Sequence, residues 1–307
     1  MSDTYIPHIP VLFNEVIDTF KDLKDGYIID CTLGYGGHSL GILESNPNIK
    51  LICNDQDDEA LEFSKNRLKD YQDRIIFNKG NFKDVIDKFK DKNIVGVLAD
   101  IGVSSLQLDK TQRGFGFEST TLDMRMDQNQ ELSASDVVND YSQKDLEIIF
   151  KEYGEVKEYK KVASIIVENR PFTSSKELAQ FLLKNMHKGK LHPATLPFQG
   201  IRIEVNNELG VLNELFEQIE NAKLKDTTVA IISFHSLEDR IVKNYFKKWT
   251  QKCICPPHVY RCECGSNHKK GKNLTKKPII PTQKEIKENP RSRSSKMRVF
   301  RFERDAY

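Results

Sequence analysis

Strand-sized apolar runs alternate with helix-sized stretches through the first hundred residues, and this alternation constrains the fold more than any other feature. Residues 27–31, 49–53, 74–77 and 94–99 are short apolar runs. Around them lie four helix-length stretches: 10–23, 37–44, 58–70 and 82–90. The first has apolar residues at helical spacing, at Val11, Leu12, Val16, Ile17, Phe20 and Leu23. Buried strands that each feed a helix predict an α/β fold with a mainly parallel sheet and helices on both faces.

The pattern then changes. Residues 106–196 contain no convincing strand, but they do contain helix starts. Ser142 precedes Asp145 at capping-box distance, and Ser174 and Ser175 precede Glu177, Leu178, Phe181 and Leu182. A helix is expected over 205–219 and a fifth strand over 228–234, so the sheet resumes. Residues 297–302 suggest a closing edge strand. The predicted organisation is a discontinuous domain, 1–105 with 205–307, interrupted by a helical insertion over 106–204.

The chemistry concentrates at strand ends. Asp30-Cys31-Thr32-Leu33-Gly34-Tyr35-Gly36-Gly37-His38 follows the first strand and opens a helix. Glycines there let the backbone turn tightly and approach a ligand. An ordinary strand-to-helix turn would also carry glycines, so the context matters. A dinucleotide fingerprint needs a third glycine where this chain has Ser39, and an acid closing the strand suits an adenosylmethionine site better. Asp55 ends the second strand roughly twenty residues on, where a carboxylate can accept both ribose hydroxyls of a nucleoside. It can equally cap the next helix, a role also open to Asp57. Asp100 ends the fourth strand, where ligands of open parallel sheets bind, although a loop-bracing role stays open. Ser233-Phe234-His235-Ser236 follows the fifth strand and borders the same region, with His235 either orienting substrate or capping a helix.

Charge points to an anionic partner. Residues 269–301 hold twelve Lys or Arg against Glu285 and Glu288, so the overall net charge of +2 hides a basic strip on an otherwise acidic chain. Nucleic acid is the commonest partner of such a strip, and a solubilising surface is the alternative. Arg291, Arg293 and Lys296 form its densest part. No secretory leader is read in residues 1–10 and no run is long enough to span a bilayer, so a cytoplasmic protein is expected. Six cysteines in 307 residues do not make a disulfide scaffold. Four of them, in Cys253-Ile254-Cys255 and Cys262-Glu263-Cys264, can either bind zinc or remain free thiols.

Seven motifs in order complete the reading. They are Gly34 to Ser39; Asp100-Ile101-Gly102-Val103-Ser104-Ser105-Leu106-Gln107-Leu108-Asp109; Arg113-Gly114-Phe115-Gly116-Phe117; and Leu122-Asp123-Met124-Arg125-Met126-Asp127. His192-Pro193-Ala194-Thr195, then Phe198-Gln199 with Arg202 to Glu208, and Ser233 to Arg240 follow. From about His8 to the last strand, the chain resembles the bacterial methyltransferases that modify cytosine N4 in 16S ribosomal RNA. The resemblance implies a Rossmann-like class I methyltransferase fold with a helical insertion, S-adenosyl-L-methionine as cofactor, and a decoding-centre cytosine of the small ribosomal subunit as target. Carried over by position, Gly36, Gly37 and His38 contact the cofactor, Asp55 its ribose and Phe82 its adenine, while Asp100 and Gln107 complete the pocket. Asp100 would also orient the target amine. Phe82 can alternatively be a core aromatic.

The sequence departs from many amino-methyltransferases in one respect. Ile101-Gly102-Val103 follows Asp100 where they carry Pro-Pro-aromatic. Ring-carbon methylation of cytosine needs a cysteine nucleophile, and no cysteine follows the fourth or fifth strand, which favours the amine. Two other classes remain in view. A nicotinamide-dependent oxidoreductase is disfavoured by Ser39, and a non-enzymatic RNA-binding scaffold by the intact glycine loop, Asp55 and Asp100.

Overall fold

The chain is described by a computed structural model covering residues 10–187, 189–256 and 258–304. His8, where the family resemblance starts, and Pro257 of the cysteine loop lie outside the described residues. Contacts divide the chain into two compact units, Met1–Gly102 with Val211–Tyr307, and Val103–Gly210.

The first unit is built on a seven-stranded sheet in the order β3-β2-β1-β4-β5-β7-β6. These are β1 Gly26–Asp30, β2 Ile49–Asp55, β3 Ile75–Lys79, β4 Ile94–Asp100, β5 Thr228–Ser233, β6 Gly271–Asn273 and β7 Lys296–Phe302. The first five run parallel. The last two are antiparallel. Strand periodicity sends successive side chains to opposite faces. Ile29, Ile52, Val97, Val229 and Ile231 therefore enter one core cluster, while Ile28, Leu51, Leu98, Ala230 and Ile232 enter another. Val16 and Phe20 of α1 (Phe13–Phe20) and Ile42 and Leu43 of α2 (Gly37–Ser45) cover the second. Helices α3 (Asp58–Arg67) and α4 (Val85–Phe89) complete the early βα units.

The second unit is helical, with no strand among its described residues. It holds α5 Ser105–Asp109, α6 Ala134–Asp140, α7 Gln143–Ile148, α8 Tyr159–Glu168, α9 Ser175–Asn185 and α10 Thr195–Asn206. Val138, Leu146, Phe150, Val162, Ile166, Leu182 and Ile201 are fully buried in its own core. Ser142 and Ser174 cap α7 and α9 by accepting from the Asp145 and Glu177 amides. A capping box, Ser133 with Asp136, starts α6. Several of the family-like motifs serve this fold. Buried Arg113 donates to the Arg125 and Met126 carbonyls at 3.1 and 3.0 Å. Gly114 sits at φ 79°, and a Cβ there would lie 2.4 Å from the Asp123 nitrogen.

The remaining helices are α11 Glu208–Asn221, α12 Ser236–Thr250 and α13 Gln283–Glu288. Leu212, Leu215, Phe216 and Ile219 of α11, with Val242, Phe246 and Trp249 of α12, cover the first sheet face.

Three expectations are corrected. The helix over 205–219 is two helices, because Asn207 caps α10 in the left-handed conformation at φ 47°. Residues 297–302 are not the sheet edge. β7 lies between β5 and β6, with Phe300 and Phe302 against Trp249. The edge strand on that side is β6, whose Gly-Lys-Asn sequence has no apolar signal. The stretches 58–70 and 82–90 are also not continuous α-helix, since Lys69–Arg74 and Phe82–Asp84 are 3-10 turns.

Candidate functional site

The sheet order reverses between β1 and β4, the place where an open parallel sheet leaves a crevice at its carboxyl ends. Both strands end in an aspartate there. The loop after β1 is shaped by glycine. Gly34 and Gly36 have φ of 51° and 70°, and Gly36 is the N-cap of α2. A Cβ on Gly37 would lie 2.4 Å from Pro10 Cγ. The loop is fastened on both sides. Ser64 Oγ donates to the Gly34 carbonyl at 2.7 Å, and Arg67 to the Tyr35 carbonyl at 3.0 Å.

Asp55, at the end of β2, is tied to this loop. Its Oδ2 accepts from the Gly34 amide at 2.8 Å, and its Oδ1 from the Asp57 amide at 2.9 Å. Burial pushes its carboxyl up to about 6, against the pull of these amides. A carboxylate has roughly four acceptor positions, so two stay open to ribose hydroxyls. The helix-capping role belongs to Asp57, whose side chain accepts from the Glu59 amide. Phe82 follows β3 and is half-buried, packed on the core below. Its neighbour Asn81 donates to Gln56 Oε1 at 3.1 Å, which brings the turn beside Asp55.

His38 is buried and committed. Its Nε2 is 2.9 Å from the Val11 carbonyl, which only an N–H can satisfy, so Nδ1 carries the lone pair. Burial lowers its pKa to about 4, leaving it neutral near pH 7. That lone pair faces Asp100 Oδ2 at 3.9 Å.

Asp100 stands apart from the other carboxylates. Its backbone amide donates to Thr32 Oγ1 at 2.7 Å, which fixes the strand end. Its Oδ1 is buried without a hydrogen-bond partner among the described residues. Burial first, then the charges of Asp30 and Glu238, push its carboxyl up to about 8. A buried acceptor left unpaired costs about 1–3 kcal/mol, and the neutral His38 supplies no counter-charge.

The structure therefore gathers Gly36, Gly37, His38, Asp55 and Asp100 at the carboxyl ends of β1, β2 and β4. Gln107 belongs to the helical unit, where it is buried and its Oε1 accepts from the Ser104 amide at 3.0 Å. Asp30 closes the first strand in the sequence reading but is given no contact of its own there. This buried carboxyl is pushed up to about 6 by burial and accepts from Ser39 Oγ at 2.7 Å. Its signal was Ser39 itself, one turn into α2, where a dinucleotide site has glycine.

His235 is the N-cap of α12, with its Nδ1 accepting from the Glu238 amide at 3.4 Å. Its Nε2 lies 3.0 Å from buried Glu238 Oε1, at hydrogen-bond distance but without the alignment. The basic strip divides in two. Lys269, Lys270 and Arg298 are paired with Glu303, Glu220 and Asp239. Arg291 and Arg293 are exposed on a 3-10 turn, Pro290–Ser294, and Lys296 is half-exposed with its Nζ 3.6 Å from Asp239 Oδ2. A groove of 520 Å³ is lined by Phe234, His235 and Ser236, by residues between Ile280 and Ile286, and by Arg293 to Lys296. Phe234 also lies over Gly102, where a Cβ would be 3.3 Å from its ring, so the groove wall reaches the loop after Asp100.

Comparison with known proteins gives this geometry its family. Residues 5–303 match the model of the MraW methylase family. The chain belongs to the MraW methylase family. Among its relatives are three proteins named ribosomal RNA small subunit methyltransferase H. The one from Aliarcobacter butzleri is 74% identical over 97% of this chain and 99% of its own. Those from Sulfurimonas denitrificans and Nitratiruptor sp. are 55% and 56% identical, over 97% and 96% of this chain and 99% and 98% of theirs. The methylase has no described helix long and apolar enough to cross a membrane.

Proposed function

We propose that this chain transfers a methyl group from S-adenosyl-L-methionine to the exocyclic N4 amine of a cytosine in the decoding centre of 16S ribosomal RNA. The observation that carries the chemistry is the Oδ1 of Asp100 at the end of β4, buried without a hydrogen-bond partner among the described residues. The ribosomal RNA target rests on the family and the names of its members.

The residues present fit the cofactor. Gly34 and Gly36 turn the loop through left-handed backbone at the start of α2, Asp55 keeps acceptor positions for a ribose, and Asp100 has no counter-ion among the described residues, a place a sulfonium would fill. When bound, the cofactor supplies a methyl carbon on sulfur, and transfer forms the nitrogen–carbon bond while the carbon–sulfur pair stays on sulfur.

Cytosine N4 is a weak nucleophile because its lone pair is delocalised into the ring. Asp100 counters this by accepting an N4–H, turning the lone pair out of conjugation and toward the methyl carbon. A neighbouring cation returns its carboxyl to the charged form, which also makes it the first acceptor for the proton the amine sheds. His38 stays neutral, holding the loop through Val11. A cytosine in folded RNA must leave its stack to reach Asp100, at a cost of a few kcal/mol. Phosphate contacts from Arg291, Arg293 and Lys296 offset part of that, and the helical unit provides further recognition of the RNA.

The test is to incubate the protein with labelled adenosylmethionine and small ribosomal subunits lacking the modification, then locate the label. N4-methylcytidine at one decoding-centre position is expected. Label on a ring carbon, on another base or on protein would overturn the proposal.

A further inference from the structure

Residues 251–270 join α12 to β6, and none of the described residues among them is buried. Ile254 is 54% exposed and Tyr260 fully so. A segment of that length without apolar burial needs another source of order. The groups at its neck are four thiols. Cys253, Cys255, Cys262 and Cys264 place their sulfurs within 4.8 Å of one another. The Cys262–Cys264 and Cys253–Cys264 separations are 3.5 and 3.6 Å. These are far beyond a disulfide bond of about 2.05 Å, and all four cysteines are free. A tetrahedral zinc with bonds of about 2.3 Å holds its sulfurs about 3.8 Å apart.

The backbone around the sulfurs has an approximate two-fold pattern. Ile254, the middle residue of the first Cys-x-Cys, donates its amide to Cys264 Sγ at 3.4 Å. Glu263, the middle residue of the second, donates to Cys255 Sγ at 3.3 Å. The turn that lets the second pair face back is made by Gly265 and Ser266, both left-handed at φ 81° and 54°. Amides aimed at sulfur stabilise thiolates, the form that binds metal, and orient them as a second ligand shell does.

We propose that Cys253, Cys255, Cys262 and Cys264 form a structural zinc site that staples the loop between α12 and β6. Four thiolates close the tetrahedron and leave no open position, so the metal has no part in methyl transfer. Its effect is local. The His268 amide closes the neck of the loop by donating to the Lys252 carbonyl at 3.0 Å, and the Lys270 amide ties it to the end of α12 by donating to the Trp249 carbonyl at 2.8 Å.

The proposal is tested on the full chain, purified under reducing conditions without added metal and analysed by elemental and native mass spectrometry. One zinc per chain is expected, and less than a tenth of that in Cys262→Ser/Cys264→Ser. The variant should show adenosylmethionine affinity within twofold of the parent and lose hydrogen-exchange protection only over residues 252–270. Cobalt exchange into the unaltered protein should give the intense visible bands of a tetrahedral tetrathiolate, a readout that does not depend on any variant folding. Metal-free protein that takes up no cobalt, iron in place of zinc, two disulfides, or zinc unchanged in the double variant would each overturn the assignment.

Discussion

Asp55 and Asp100 end neighbouring parts of one sheet, yet they are held in opposite ways. Asp55 has an amide on each oxygen. Asp100 has an oxygen with no hydrogen-bond partner among the described residues and a neutral histidine for a neighbour. Both are raised above the ordinary aspartate range by burial, to about 6 and about 8. The difference marks a finished binding contact on one side and an acceptor waiting for donor and counter-charge on the other. Binding and chemistry should therefore separate between the two residues.

The largest expected effect is on turnover. Asp100→Asn should lower the methyl-transfer rate about 10²–10⁴-fold while leaving cofactor affinity the less affected quantity, read by single-turnover kinetics beside calorimetry. Equal losses in rate and affinity would erase the distinction. Asp55→Ala should do the reverse. Each hydrogen bond to a charged group contributes about 1.5–3 kcal/mol, so adenosylmethionine affinity should fall by more than about tenfold in a folded protein. Unchanged affinity would remove the ribose assignment.

Stability sharpens the comparison further. The folded pKa of Asp100 is raised, so the folded chain keeps a proton that the unfolded chain has released. Stability from this source is fully present below the unfolded value near 3.8 and is lost as pH rises toward about 8. Without ligand, Asp100→Asn should melt above the parent at about pH 8, with the gap narrowing as pH falls toward about 4. A variant less stable at every pH would mean that Asp100 braces the loop instead.

The smallest effect concerns RNA. Replacing Arg291, Arg293 and Lys296 with Ala should weaken RNA binding and flatten its salt slope by roughly 1.4–2, at about 0.7 per phosphate contact on single strands. The lower figure fits if Asp239 keeps Lys296 occupied. An unchanged affinity and slope would leave the strip a solubilising surface.

Much of this was legible in sequence because strand ends are. Gly36, Asp55 and Asp100 lie at or within a few residues of the ends of apolar runs, and parallel topology places such residues at one edge of the sheet. Features that depend on tertiary partners were not legible. Nothing local says that His38 is held by Val11 or that Asn207 breaks a helical pattern by turning left-handed. β6 is a strand only because β7 pairs with it. The charge count over residues 269–301 likewise could not show that Lys269, Lys270 and Arg298 already face acids.

The most direct test of the account is the number of protons released when adenosylmethionine binds, measured calorimetrically at about pH 7.5 in buffers of different ionisation enthalpy. With Asp100 near 8 in the free protein, most molecules carry its proton at that pH, while Asp30 and Asp55, near 6, have largely lost theirs. A sulfonium beside Asp100 should expel that proton, so release of most of one proton is predicted for the parent and close to none for Asp100→Asn. Equal proton release from both proteins would contradict the claim that Asp100 is the open acceptor of this site.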